Sequence, residues 1–327
     1  MGVRSVLAKP FAAYVASQTR KWSIEPYRFQ RQIFDQLVKT GASTRFGQDH
    51  NFSTIRGYSD FKKNVPVRDY EDLKTYFDEV VKGKPDILWK GKPAYLAKTS
   101  GTTSGTKYIP ITTDSIPNHI NSARNALLSY VNETGRAAFL DGGLIFLSGS
   151  PELEEKGGVK TGRLSGIVNH HVPGYLRTNQ RPAYETNCIQ DWEEKLERII
   201  DETIDEDMTL ISGIPPWVQM YFDRIQQRTG KRIMDVFPNF SMFVYGGVNF
   251  EPYRAKLFDT IGKEVDSIET YPASEGFIAY QDSQYEEGLL LLLNSGIFFE
   301  FIPTEEFFNE NPTRLNIEEV SPGKNYA

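Results

Sequence analysis

Three times between residues 209 and 276 the chain repeats one local pattern, a short apolar run followed by a loop marked with glycine or proline. Thr209-Leu210-Ile211 enters Ser212-Gly213-Ile214-Pro215-Pro216-Trp217, then a helical stretch that stops at Gly230. Residues 240–245 enter Gly246-Gly247, then a helix expected from about Glu251 to Ile261 and closed by Gly262. Residues 265–270 enter Tyr271-Pro272-Ala273-Ser274-Glu275-Gly276. Such alternation predicts βαβ units and a largely parallel sheet. In an open parallel sheet the loops leaving the carboxyl ends of the strands gather along one rim, and ligands bind there. The three loops are therefore expected on one edge; the third has an ordinary βα loop as its plain alternative, and Gly246-Gly247 is the weaker signal, raised only by its place on that edge.

The densest chemical signal lies earlier. A strand expected over residues 94–98 leads into Thr99-Ser100-Gly101-Thr102-Thr103-Ser104-Gly105-Thr106-Lys107, and a strand over 108–112 leaves it. Glycine permits positive φ and close backbone approach, so Gly101 and Gly105 allow successive N–H groups to converge on one anion. The hydroxyls of Ser100, Thr102, Thr103 and Ser104 add donors, and Lys107 adds the point charge expected of a catalytic cation. This is chemistry for a polyphosphate. It is not a P-loop, which needs G-x-x-x-x-G-K-[ST] followed by a helix; a plain Ser/Thr-rich hairpin turn is the alternative. On the second-half rim, Glu275 offers a carboxylate for Mg²⁺ and Tyr271 a flat face for a base or an acid group.

Elsewhere the reading is helical. Phe29, Ile33 and Leu37 share a face that Gly41 ends, and a helix is expected after Asp69 that turns Tyr70, Leu73, Phe77, Val80 and Val81 inward. A third helix, capped by Ser115 with Pro117 in its first turn, places Ile120, Ala123, Leu127 and Val131 on one face. Helices over residues 1–90 form a cover on the body, and Val3, Val6, Leu7, Phe11, Tyr14 and Val15 are expected to pack against it. Residues 144–147 read as a strand, and residues 289–293 and 297–302 as a hairpin around Asn294-Ser295-Gly296.

Composition excludes several classes. The 37 basic and 43 acidic residues are mixed along the chain, giving a formal charge of −6 and no case for a nucleic-acid partner. A lone cysteine, Cys188, rules out an internal disulfide and is expected as a buried spectator. The four histidines form no H-E-x-x-H, no G-x-S-x-G elbow appears, and His170-His171 are expected as solvated loop residues. The acidic run over residues 201–207 reads as a solvated face. The amino terminus has no continuous apolar segment and carries Val6 where myristoylation needs Ser or Thr. No apolar run is long enough to span a bilayer. The expectation is a cytoplasmic monomer without membrane partners.

Thr99-Ser100-Gly101-Thr102-Thr103, with Gly105 and Lys107 following, resembles the phosphate-binding signature of the adenylate-forming superfamily. The glycine that usually follows the second Thr is displaced by one place, with Ser104 between. That displaced pattern resembles the acyl-acid amido synthetases of the Gretchen Hagen type, the auxin-responsive proteins of plants. Phe61-Lys62-Lys63-Asn64-Val65-Pro66-Val67 with Tyr70-Glu71-Asp72, then Tyr271-Pro272-Ala273-Ser274-Glu275 (Pro272 a departure), then Phe298-Phe299-Glu300-Phe301-Ile302-Pro303 are similar to further family stretches in the same order.

The resemblance implies an α/β fold, the large domain of an adenylate-forming enzyme with a mostly parallel sheet flanked by helices. All of residues 1–327 would be that nucleotide-binding domain, a piece without the mobile C-terminal domain of family members. It implies ATP and Mg²⁺ as cofactors, and a small carboxylic acid and an amino acid as substrates. Ser100, Gly101, Thr102, Thr103, Ser104 and Gly105 would hold phosphates, Gly246, Gly247, Tyr271 and Ser274 the adenosine side, and Glu275 the Mg²⁺. An acyl-CoA ligase and a nucleotide-binding module without turnover are the rival readings.

Overall fold

The computed structural model describes residues 2–101, 105–172 and 174–327. Two long helices open the chain, α1 (Val3–Ile24) and α2 (Pro26–Gly41). Short helical turns follow, then α3 (Lys74–Val81). The helix expected after Asp69 starts five residues later, because the Asp69 carboxylate accepts the Asp72 N–H (2.9 Å) and closes a turn instead of capping.

A four-stranded sheet comes next. Strands β1 (Tyr95–Gly101) and β2 (Gly105–Ile111) form an antiparallel hairpin in register down to the Gly101–Gly105 pair. Helix α4 (Ile116–Thr134) and strand β3 (Gly143–Phe146) intervene, then β4 (Glu154–Lys156) and β5 (Val159–Gly162), where β5 runs parallel to β1 and completes the order β2-β1-β5-β4.

The larger sheet has seven strands. To β3 it adds β6 (Gln180–Arg181), β7 (Met208–Ser212), β8 (Met242–Gly246), β9 (Asp266–Ala273), β10 (Gly276–Tyr280) and β11 (Leu290–Leu291), in the order β11-β10-β9-β8-β7-β3-β6. From β9 to β6 every pairing is parallel. Helices α5 (Trp192–Thr203), α6 (Pro215–Thr229) and α7 (Glu251–Ile261) connect them. The bounds of α7 and the left-handed stops at Gly230 and Gly262 match the sequence reading.

Adjacent residues on the central strands point to opposite faces, and both faces are covered. Ile145, Ile211 and Phe243 pack under α5, α6 and α7, whereas Leu144, Leu210 and Met242 pack under α1 and α4. That double burial explains why these strands read as unbroken apolar runs. Each such side chain contributes about 2–3 kcal/mol of hydrophobic free energy.

Several expectations are corrected. Residues 271–276 do not lead into a helix: β9 continues to Ala273 and turns at Ser274-Glu275 into β10, so the third loop is a hairpin tip. Residues 289–302 form no hairpin. Leu290–Leu291 pair with β10 and Phe301 bridges to Leu315, while the buried Gln30 amide holds the stretch between them by donating to Leu293 O (2.8 Å) and Ile297 O (2.9 Å) and accepting from Phe299 N (2.9 Å). On α4 the expected face is right at Val131, which is buried, and Leu127, which packs on the core, but Ala123 is exposed and Asn118, Ser122, Ala126 and Ser129 are buried too, because the helix is covered by α1 on one side and by β9–β10 on the other. Ser115 precedes α4, but its hydroxyl accepts from Thr112 N rather than capping the helix. On α1 only Val15 of the expected packing set is buried; Val3, Val6, Leu7, Phe11 and Tyr14 face solvent, and Ser5, Ala12 and Trp22 face the body. Cys188 is half-buried. The acidic run does lie on the surface, with Asp201, Asp205, Glu206 and Asp207 exposed, and it pairs there: Asp201 with Arg228, Glu202 with Thr186, Glu206 with Arg181 and Asp207 with Asn239.

Candidate functional site

Strands β7, β8 and β9 are neighbours and parallel, so their carboxyl ends lie on one rim, carrying Gly213, Gly246-Gly247 and the tip of the β9–β10 hairpin. Gly246 pairs with Thr270, and a Cβ there would stand 2.3 Å from Thr270 O, so only glycine lets the two strands run side by side at this edge. Gly247 follows at φ +82°, the left-handed turn that frees the chain from the sheet. Tyr271 is 56% exposed beside it, and Glu275 is exposed at the hairpin tip without an ion pair among the described residues.

The glycine-rich segment sits on the smaller sheet. Ser100 and Gly101 close β1 opposite Thr106 and Gly105, and Gly105 opens β2 at φ +83° with free space where a side chain would project. Thr102, Thr103 and Ser104 lie outside the described residues. Lys107, two residues into β2, rests with its ammonium 4.9 Å from the centre of the Tyr70 ring. Tyr70 stacks on Phe77 of α3 (4.5 Å) and its hydroxyl accepts the Tyr108 N–H (3.1 Å). Helix α3 thus braces the hairpin and aims the lysine through a cation–π contact.

One residue that sequence reasoning missed links the two segments. Asn118, in the first turn of α4 just beyond β2, accepts from Phe277 N (2.6 Å) and donates to Phe277 O (3.2 Å). Phe277 lies two residues past Glu275 and is in register with Pro272, which has no N–H to offer its carbonyl. Asn118 supplies the missing donor. The sequence carried a signal, a proline inside a strand run, and that signal asks for an outside donor.

Beside Asn118, His119 is buried and neither ring nitrogen finds a partner among the described residues; burial holds its pKa below the usual 6.5. His170 and His171 are not free in solvent. His170 Nε2 lies 2.7 Å from Pro151 O and His171 Nε2 lies 3.1 Å from the Tyr95 hydroxyl. Lys195 is buried on α5, donating to Ser148 O (2.9 Å) and Asn187 O (2.8 Å) on loops around the carboxyl end of β3, and burial pushes its pKa down to about 8. Trp217 packs on Trp192 (4.8 Å), a wall contact within the core.

No group of three or more His, Cys, Asp or Glu suited to a metal occurs among the described residues. The donor set does not fit a cation held by protein alone. What the rim offers is one exposed carboxylate, Glu275.

The mixed α/β body, with its parallel sheet and a glycine-bearing hairpin on a second sheet, has the fold of the large domain of adenylate-forming enzymes. The structure superposes on the AtGH3.15 acyl acid amido synthetase in complex with 2,4-DB with a TM-score of 0.78 at 14% identity, covering 96% of this chain and 64% of that one. A 2-hydroxyisobutyryl-CoA ligase in an open conformation matches with a TM-score of 0.52 at 12% identity, over 80% of this chain and 57% of that one. The GH3 family N-terminal domain matches residues 16–179, half of the sequence, and the chain belongs to that family. Among curated relatives, the indole-3-acetic acid-amido synthetase GH3.15 of Arabidopsis thaliana is 34% identical over 96 residues, 28% of this chain and 16% of the relative. The GH3.4 enzyme of the same plant is 22% identical over 196 residues, 57% of this chain and 32% of the relative. The chain thus spans less than two thirds of the length of these relatives. No helix among the described residues is long and apolar enough to cross a membrane.

Proposed function

We propose that the protein is the nucleotide-binding part of an acyl-acid amido synthetase, which joins a carboxylic acid to the α-phosphate of ATP and passes the acyl group to an amino acid. The observation that carries this reading is the presence of two devices in a GH3 family chain: a hairpin closed by the Gly101–Gly105 pair, and a parallel-sheet rim that carries Gly246-Gly247 and, on the next strand, the Glu275 turn. A carboxylate resists attack by an amine because its oxygen leaves poorly. Attack of the carboxylate oxygen on the α-phosphorus breaks the bond to pyrophosphate and forms an acyl-adenylate; the amine then displaces AMP, losing a proton, and leaves an amide.

The chain's own residues act by position and charge. The hairpin tip, Ser100 to Gly105, wraps the β- and γ-phosphates as they leave, and Lys107 neutralises charge on them. Gly246-Gly247 and Tyr271 border the adenosine, with Ser274 beside them, and Glu275 holds Mg²⁺, which would screen the phosphates. Losing one transition-state donor in such a site costs about 3–4 kcal/mol, roughly a hundred- to a thousandfold in rate. The cytoplasm is the compartment that supplies ATP, and we place the reaction there.

Acid-dependent exchange of labelled pyrophosphate into ATP, run over aromatic and aliphatic acids, tests the reading. Exchange that requires both ATP and one class of acid supports it. ATP binding with no exchange for any acid would leave a nucleotide-binding module, and a thiol outcompeting every amine as acceptor would favour an acyl-CoA ligase.

A further inference from the structure

An amphipathic surface helix normally turns its apolar stripe inward. Over its first four turns α1 carries apolar residues on its outer face as well as its inner one. It rests on the body through the small residues Ser5 and Ala12 and through Val15, with Asp141 closing its amino end by accepting from Gly2 N (2.6 Å) and Ser5 N (3.1 Å). Its outer face carries Val3 (75% exposed), Val6, Leu7 (64%), Pro10, Phe11 and Tyr14 (59%), at helical spacing, with the Arg124 guanidinium of α4 lying 5.2 Å from the centre of the Phe11 ring. Four cations, Arg4, Lys9, Arg20 and Lys21, belong to α1, and no carboxylate does. Residues 1–41 hold seven Lys and Arg against two Asp and Glu, a net +5 on a chain whose total is −6. Apolar exposure and positive charge are thus concentrated on the same end of the molecule.

From this arrangement we infer that α1 is a membrane-surface anchor, which lies in the interface of an anionic bilayer with Val3, Val6, Leu7, Phe11 and Tyr14 in the acyl boundary and its cations on the lipid headgroups. A second copy of the chain fits less well. A symmetric pairing of the two apolar faces would bring Lys9 and its neighbours toward their own duplicates, with no carboxylate on α1 to balance them, whereas phosphatidylserine supplies the anions directly. The anchor stands apart from the nucleotide rim, so the enzyme would work while docked.

Co-sedimentation of the 327-residue chain with phosphatidylcholine vesicles, with and without phosphatidylserine, tests the inference. Binding is expected only with phosphatidylserine, weakening as salt is raised. Leu7→Glu should lower the partition by about tenfold and Lys9→Glu by about fivefold or more, both with an unchanged thermal melt because neither side chain is buried. If Leu7→Glu fails to fold, Val6→Ser serves in its place. Failure to bind either vesicle would overturn the proposal, as would undiminished binding by both the apolar and the charge variants. A dimer in light scattering that Leu7→Glu dissolves would overturn it in favour of self-association. None of these outcomes depends on nucleotide binding or acyl transfer.

Discussion

Replacing Asn118 with alanine should both destabilise the fold and loosen the Glu275 hairpin. The side chain is buried and spends both of its polar ends on one residue, accepting from Phe277 N and donating to Phe277 O. Alanine leaves two buried backbone groups without those partners, and Pro272 opposite cannot replace the lost donor. Each orphaned group costs about 1–3 kcal/mol, so a loss of about 2–4 kcal/mol follows if water enters partway. For a chain of this size, entropy scaling converts that into a fall of about 3–6 °C in Tm. Asn118→Asp keeps the acceptor and loses the donor, so it should fall between wild type and alanine. The assays are a thermal melt and Mg·ATP titration calorimetry at a temperature where both proteins are folded. A Tm unchanged in the alanine variant, with wild-type Mg·ATP affinity, would refute the assignment of Asn118 as the clamp between the two segments.

Other outcomes follow from the same geometry. Glu275→Gln should weaken binding of Mg·ATP by about tenfold while leaving AMP affinity unchanged; calorimetry with both nucleotides checks it, and equal losses would remove the carboxylate's metal role. Gly246→Ala places a methyl group 2.3 Å from Thr270 O, so it should cost more than about 2 kcal/mol, and a melt within a degree of wild type would contradict the packing at the rim. His119 is held neutral by burial, so the unfolded chain binds a proton below about pH 6.5 that the native chain refuses, and stability should fall as pH drops through that value; His119→Leu should flatten this slope in urea melts. Lys195 has its pKa lowered to about 8 from an ordinary 10.5. Between those values the unfolded chain is the more protonated, so stability should rise with pH there, and Lys195→Met should abolish the rise.

Legibility in the sequence followed burial. Where a strand is covered on both faces, as with Leu210-Ile211 and Met242-Phe243, the apolar run announces it, and the glycine stops of α6 and α7 fall where left-handed caps require them. The hydroxyl-rich segment was legible as a hairpin because two strand-like runs flank it, and the pairing continues to Gly101 and Gly105. What failed were features set by partners distant in sequence. Ser274-Glu275 read as a βα loop, since nothing local shows that β10 returns antiparallel rather than as a helix. The apparent 289–302 hairpin is held by Gln30, more than 260 residues away in sequence. Helical spacing on α1 gave the apolar stripe correctly but not its direction, because periodicity fixes which residues share a face and is silent on whether that face meets protein or solvent. Asn118 was passed over for the same reason: its partner lies 159 residues on.

The account turns on whether the glycine-hydroxyl hairpin and the glutamate hairpin serve one nucleotide. A crystal structure of the chain grown with Mg·ATP addresses this directly. The predicted result is density for the triphosphate between the Gly101–Gly105 tip and Glu275, with the base against Gly246-Gly247 and Tyr271. Triphosphate density elsewhere, or on the hairpin with Glu275 turned away from both metal and phosphates, would contradict it.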